Sequence, residues 1–128
     1  MGLDTYAYHG DRDEMMDDAL FAHLPSDVAS VGIFSGNGQS SFRGKTYAGF
    51  MMASVGVDLY REEIPAAEVR GIAHALQDWV AERSNEGIAD AAAAGELGGY
   101  PITPAEVRWL AEWFAVVAQH NGRVIGWY

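Results

Sequence analysis

The spacing of apolar residues predicts a long amphipathic helix over Pro65–Ser84. Its apolar residues recur every three or four positions, which places them on one face of an α-helix: Val69, Ile72, Ala73, Leu76, Trp79 and Val80. Pro65 suits the first turn, because the N–H that proline lacks would have no partner there. The sequence Asn85-Glu86-Gly87 is expected to end this helix.

A second amphipathic helix is predicted over Thr103–Gln119 by the same periodicity, carried by Val107, Leu110, Ala111, Phe114, Val117 and Ala118. Thr103, Pro104 and Glu106 have the pattern of a capping box with proline at the first helical position. Asn121-Gly122 is typical of the residues that end a helix.

This second helix also has an additional apolar stripe, formed by Trp109, Trp113 and Val116. A helix that is apolar nearly all round is either deeply buried or packs on a partner as well. Burial against a sheet of the same chain is the simpler interpretation. The alternative is a homodimer, or another partner, that packs on the Trp109–Trp113 stripe.

Shorter patterns predict the remaining elements. Alternating residues indicate a strand over Gly2–Tyr8, and the apolar run Val31–Phe34 is consistent with a buried strand. The spacing of Met16, Ala19 and Leu20 predicts a helix that ends at Pro25.

Further along the chain, Ser35–Ser41 is typical of a loop, and Lys45–Val55 of a short helix. We expect a short helix and a turn over Ile88–Leu97 and a last strand over Arg123–Tyr128. Pairing of the first and last strands would give a small antiparallel sheet packed by helices. The predicted fold is therefore a mainly helical α+β domain, a single globular unit over residues 1–128.

Composition narrows the classes of function. The chain has no cysteine, which excludes disulfides, thiolate catalysis and cysteine zinc sites. Residues 1–6 lack the basic and apolar regions of a signal peptide, and no apolar run reaches the ~20 residues of a membrane span. We therefore expect a cytoplasmic protein. A formal net charge of −10 disfavours binding to nucleic acid or to anionic membranes.

Positive charge is concentrated in one glycine-rich loop. No acidic residue occurs between Asp27 and Asp58, whereas Arg43 and Lys45 lie within that span. Backbone N–H groups and cations at a helix start attract anions. Gly44-Lys45-Thr46 is similar to the end of a phosphate-binding P-loop, but that motif requires glycine at position 39, where this chain has Gln39.

Other chemistry lacks the necessary spacing. The acidic residues between Asp11 and Asp18 do not follow the calcium-loop pattern, because Met15 and Met16 occupy its fifth and sixth positions. The four histidines show no zinc-binding spacing, and Gly-x-Ser-x-Gly does not occur. The sequence therefore predicts neither a metal ion nor a cofactor.

Three motifs resemble a family of small, uncharacterised bacterial proteins: Met-Gly-Leu-Asp-x-Tyr at 1–6, Ser-Phe-Arg-Gly-Lys-x-Tyr at 41–47 and Leu-Tyr-x-Glu-x-Ile at 59–64. The similarity extends over most of the chain. It implies that residues 41–47 are a family feature, and it implies no reaction.

The leading hypothesis is non-enzymatic binding of a partner protein or a small anionic ligand through the loop at residues 36–47. Arg43 and Lys45 would supply the positive charge, while Ser41 and Tyr47 would add hydrogen bonds. One alternative is a small enzyme of unknown reaction that uses the same loop, with a base among Asp4, His9 and Asp58. A third is an acidic decoy that binds a basic protein and presents its carboxylates on one continuous face.

Overall fold

The N- and C-terminal strands pair side by side in an antiparallel sheet. The computed structural model describes residues 2–25, 38–94 and 102–128. In the sheet, β1 (Asp4–Tyr8) and β4 (Arg123–Trp127) occupy the two central positions. Their register runs from Asp4 opposite Trp127 to Tyr8 opposite Arg123. The predicted α+β class and the predicted antiparallel pairing of the terminal strands are confirmed.

Two short strands flank this central pair. β2 (Ser41–Arg43) pairs with β1, and β3 (Glu63–Ile64) pairs with β4, so the strand order is β2-β1-β4-β3. Neither short strand was expected, and Ser41 was placed in a loop. Within the described ranges all the strand pairings are antiparallel.

Four helices are present in the described ranges: α1 (Gly44–Val55), α2 (Ala66–Ala81), α3 (Asn85–Ala94) and α4 (Pro104–Gln119). The helices predicted between Lys45 and Gln119 match these four within a few residues. Asn85-Glu86-Gly87, expected only to end the helix before it, begins α3. None of the four is long and apolar enough to cross a membrane.

Local hydrogen bonds set both ends of α4. The Thr103 hydroxyl accepts from the Glu106 N–H at 3.2 Å, and the Glu106 carboxylate accepts from the Thr103 N–H at 3.0 Å. This is the predicted capping box, which satisfies N–H groups that have no partner inside the helix. At the other end Asn121 has a left-handed φ of 53°, and the Gly122 N–H donates to the Val117 carbonyl at 2.8 Å.

The apolar stripe of α4 lies in the core. Trp109 is 2% exposed and Trp113 is 0% exposed, and Val116 is buried as well. The indole N–H groups of the two tryptophans donate within the chain. Trp109 donates to the Pro25 carbonyl, and Trp113 donates to the Gln39 carbonyl. The stripe is therefore buried inside the protein, which is the simpler of the two interpretations. The alternative, a homodimer through the Trp109–Trp113 stripe, stays a prediction.

The helix expected to end at Pro25 was predicted wrongly. In its place the structure has a short 3₁₀ turn over Asp18–Phe21. The reason is that the Met16 N–H donates to the Ala7 carbonyl at 2.9 Å, which draws the start of this segment beside β1. The strand predicted over Val31–Phe34 lies outside the described residues.

Candidate functional site

The basic loop is located where β2 leads into α1. Arg43 is the N-cap of α1, and Lys45 follows in its first turn, with both side chains half-buried. The Lys45 N–H donates to the Leu3 carbonyl at 3.3 Å, so β1 holds the start of the helix. Across the sheet Arg43 stands opposite Asp4, which places a carboxylate beside the predicted anion site.

The two predicted hydrogen-bonding residues are buried. Ser41 lies in β2 and is 3% exposed, and Tyr47 in α1 is 0% exposed. The Tyr47 hydroxyl donates to a carboxylate oxygen of Glu106 at 2.7 Å, which joins α1 to the first turn of α4. The structure thus leaves Arg43 and Lys45 half-buried at the start of α1, and it gives the Tyr47 hydroxyl a hydrogen bond inside the protein.

Packing accounts for two other residues of the Ser41–Tyr47 motif. The Phe42 ring lies 4.7 Å from the Trp113 ring and 5.7 Å from the Tyr47 ring, centroid to centroid. At Gly44 a β-carbon would lie 2.2 Å from the Thr5 hydroxyl oxygen, so only glycine fits against β1. Phe42 and Gly44 of this motif therefore have a structural role.

Of the bases considered for an enzyme, neither Asp4 nor His9 stands directly opposite Ser41 in the sheet. Ser41 pairs with Tyr6, so Asp4 is its diagonal neighbour, and such β-carbons lie about 7–8 Å apart. His9 follows three residues after Tyr6, about 10 Å farther along the chain direction. The Asp58 carboxylate accepts from the Tyr60 N–H at 2.8 Å. In the part of the chain described here, no three potential ligands converge on a metal position.

Three aromatic residues are exposed near the end of β4, and we call Tyr60, Trp127 and Tyr128 the aromatic surface. Trp127 is 70% exposed, Tyr128 is 51% exposed and Tyr60 is 37% exposed. The Tyr60 and Tyr128 rings are in edge-to-face contact, with their centroids 5.7 Å apart. A shallow cavity of about 290 Å³ lies beside Trp127 and Tyr128, and Glu62 also lines it.

Close backbone packing brings Tyr60 to this surface. The Gly126 N–H donates to the Glu62 carbonyl at 3.2 Å, so the chain before β3 lies against β4. Arg61 forms a two-bond ion pair with Glu68 in the first turn of α2. The hydrogen bond from Arg61 lowers the pKa of the Glu68 carboxyl, and the bond to Glu68 raises the pKa of Arg61.

Carboxylates outnumber cations around the aromatic surface. Asp4 stands opposite Trp127, and Glu63 stands opposite Ile125. The four strands and the segment before α2 contain four carboxylates and three guanidinium groups: Asp4, Asp58, Glu62 and Glu63 against Arg43, Arg61 and Arg123. Glu68, in the first turn of α2, adds a fifth carboxylate. Arg61 pairs with Glu68, while Arg123 pairs with Glu63 at 3.7 Å and with Asp13 at 3.3 Å.

Sequence reasoning missed the aromatic surface. The aromatic residues near the end of the chain were assigned only to a strand, and Tyr60 was noted only within a motif. Their grouping depends on the pairing of β3 with β4, which brings together residues that are distant in sequence. A useful indication was available, because Trp127 and Tyr128 are consecutive, so both cannot point into the core from one strand.

A larger cleft of about 510 Å³ lies between the loop after β1 and the turn after α4, lined by His9, Asp11, Arg12 and His120 among others. Arg12 is already bonded to three side chains there, those of Asp11, Glu14 and His9. The positive charge of Arg12 is balanced by the carboxylates of Asp11 and Glu14, so the cleft favours no particular class of ligand.

Comparisons of this chain with protein families, with curated proteins and with solved structures find no match. The resemblance based on the three sequence motifs stays a prediction.

Proposed function

We propose that the protein is a non-enzymatic, cytoplasmic binding domain that docks a partner protein on its aromatic surface. The observation that supports this most strongly is the exposure of Trp127 at 70%, whereas the other three tryptophans are all buried. Tryptophan and tyrosine are the residues that most often dominate the energy of protein interfaces. An exposed group of aromatic rings beside a polar rim is typical of an interaction site. The cysteine-free sequence agrees with a reducing compartment.

The other hypotheses receive less support. For the enzyme hypothesis, the strand register places Asp4 diagonal to Ser41 and not directly opposite it. An acidic decoy requires its carboxylates on one face. Here they belong to several elements, the loop after β1, β3, α2, α3 and α4, and this distribution gives that function no specific support.

The proposal predicts that Trp127→Ala weakens partner binding. Proteins cross-linked to the wild-type chain in its source cells would be purified and titrated against both forms. For a true partner we expect the dissociation constant to rise at least about tenfold, since interface tryptophans are frequent hot spots. Met52→Ala is the control, because Met52 is an exposed apolar residue on α1. Partners that bind both variants equally well would contradict the proposal.

A second candidate, the small-anion site at Arg43 and Lys45, is favoured by one observation. The first turn of α1 has no acidic residue, and its N-cap makes no side-chain capping bond. Titration with phosphate, nucleotides and carboxylates by calorimetry tests it. If it is correct, Arg43→Ala weakens binding at least about fivefold, since a charge-assisted hydrogen bond is lost, whereas Arg70→Ala on α2 does not. No binding, or equal effects of the two variants, rejects this site.

A further inference from the structure

We infer that the partner segment on the aromatic surface is positively charged, a stretch rich in lysine or arginine. This inference rests on the proposed function and names the chemistry of the partner at that same site.

The first argument is the charge left on the surface. The guanidinium groups of Arg61 and Arg123 are paired with carboxylates, and Arg43 stands opposite Asp4 in the sheet. Among the described residues, Asp4, Asp58 and Glu62 take part in no ion pair. Glu62 lines the cavity beside Trp127, and Asp4 is the cross-strand neighbour of Trp127. A cation placed against Trp127 would therefore have the carboxylates of Asp4 and Glu62 in its neighbourhood.

The second argument is the chemistry of the rings. The face of an aromatic ring attracts cations, and tryptophan does so most strongly. This protein uses the same contact internally, since the Arg83 guanidinium lies 4.0 Å from the centre of the Trp79 ring. In the described parts of the chain no arginine or lysine covers Trp127. The most exposed tryptophan is therefore available to a cation from outside.

Charge also disfavours the other occupants. An acidic segment or a nucleic acid would meet an excess of carboxylates and a chain of net charge −10. A second copy of the chain would bring the same excess of negative charge to the interface. A neutral, proline-rich segment could stack on the rings, but it would leave Asp4 and Glu62 without partners. Only a basic segment uses both the rings and the carboxylates.

Fluorescence provides the test, because Trp127 is the solvent-exposed tryptophan of the chain. The full chain would be titrated with a lysine- and arginine-rich peptide, with the same peptide carrying glutamine at every basic position, and with a neutral proline-rich peptide. We expect the basic peptide to bind at least about tenfold more tightly than either control. Its affinity should fall as NaCl rises from about 0.05 to 0.5 M, since salt screens exposed charges.

Two charge variants locate the effect. Glu62→Gln should weaken binding of the basic peptide about threefold to tenfold, as expected for loss of a nearby opposite charge. Glu112→Gln changes the net charge equally, but on the exposed side of α4, and should leave the affinity within about twofold, since remote surface charges are screened. Equal effects of the two variants, or equal binding of the basic and glutamine peptides, would overturn the inference.

The result also separates this inference from the proposed function. If a neutral peptide binds best and Trp127→Ala removes that binding, the docking surface stands and the basic partner is rejected. If sedimentation shows a dimer that Trp127→Ala dissociates, the occupant is a second copy and the inference fails. If Trp127→Ala affects no binding at all, both proposals fail.

Discussion

Trp113→Ala is expected to lower the free energy of unfolding by about 3–5 kcal/mol, the range observed when a large core aromatic is truncated. Trp113 is fully buried at the meeting point of the sheet and α4. Its ring contacts those of Phe42 at 4.7 Å, Phe114 at 5.1 Å and Phe21 at 5.8 Å, between centroids. The substitution also leaves the Gln39 carbonyl without the indole N–H that donates to it at 2.9 Å.

Urea unfolding followed by circular dichroism measures this effect. Trp127→Ala is the matched control, because the same side chain is removed from a site that is 70% exposed, and it should cost less than about 1 kcal/mol. Trp113→Phe should fall between the two, since it keeps a ring but loses the N–H donor. Equal losses in Trp113→Ala and Trp127→Ala would contradict the placement of Trp113 in the core. Small domains have about 5–15 kcal/mol of stability in total, so Trp113→Ala would remove a large fraction of it.

The long helices were predictable because their determinants are local. In α4 the apolar period repeats through the whole helix, and the capping box Thr103–Glu106 and the stop at Asn121-Gly122 flank it directly. The burial of Trp109 and Trp113 was one of two open alternatives. The choice between them depends on Phe42 and Phe21, which reach α4 from elsewhere in the chain.

The short strands could not be predicted in the same way. β2 and β3 have three and two residues, too few to show a period of two. Met16 was assigned to a helix because its spacing is helical, but its N–H pairs with the Ala7 carbonyl instead. In each case a hydrogen bond to a distant strand outweighs the local pattern.

The candidate sites show the same division. Arg43 and Lys45 were found because a local gap in acidic residues draws attention to them. The hydrogen bond from the buried Tyr47 hydroxyl to Glu106 is a tertiary contact between α1 and α4, so no local pattern predicts it. The exposure of Trp127 depends on which side of β4 faces solvent, and that depends on the pairing of β4 with β1 and β3.

Gly126 joins the stability of the sheet to the aromatic surface. A β-carbon at this position would lie 2.2 Å from the Arg61 carbonyl oxygen and 3.1 Å from that of Leu59. Because both obstacles are backbone atoms, no side-chain rotation relieves the clash. The segment that carries Tyr60 must therefore move away from β4 in a Gly126→Ala variant.

We expect Gly126→Ala to destabilise the protein by about 3 kcal/mol, the upper part of the usual cost of overpacking. Gly71→Ala is the control with the opposite sign. Gly71 is exposed in α2 with nothing within 4 Å of the new β-carbon, so alanine should stabilise the helix by about 0.5–1 kcal/mol. Urea unfolding measures both changes.

Gly126→Ala should also separate the Tyr60 and Tyr128 rings and weaken binding at the aromatic surface even below its unfolding temperature. A stable Gly126→Ala protein with unchanged binding would show that the segment before β3 does not pack on β4 as described, and that Tyr60 has no part in the docking surface.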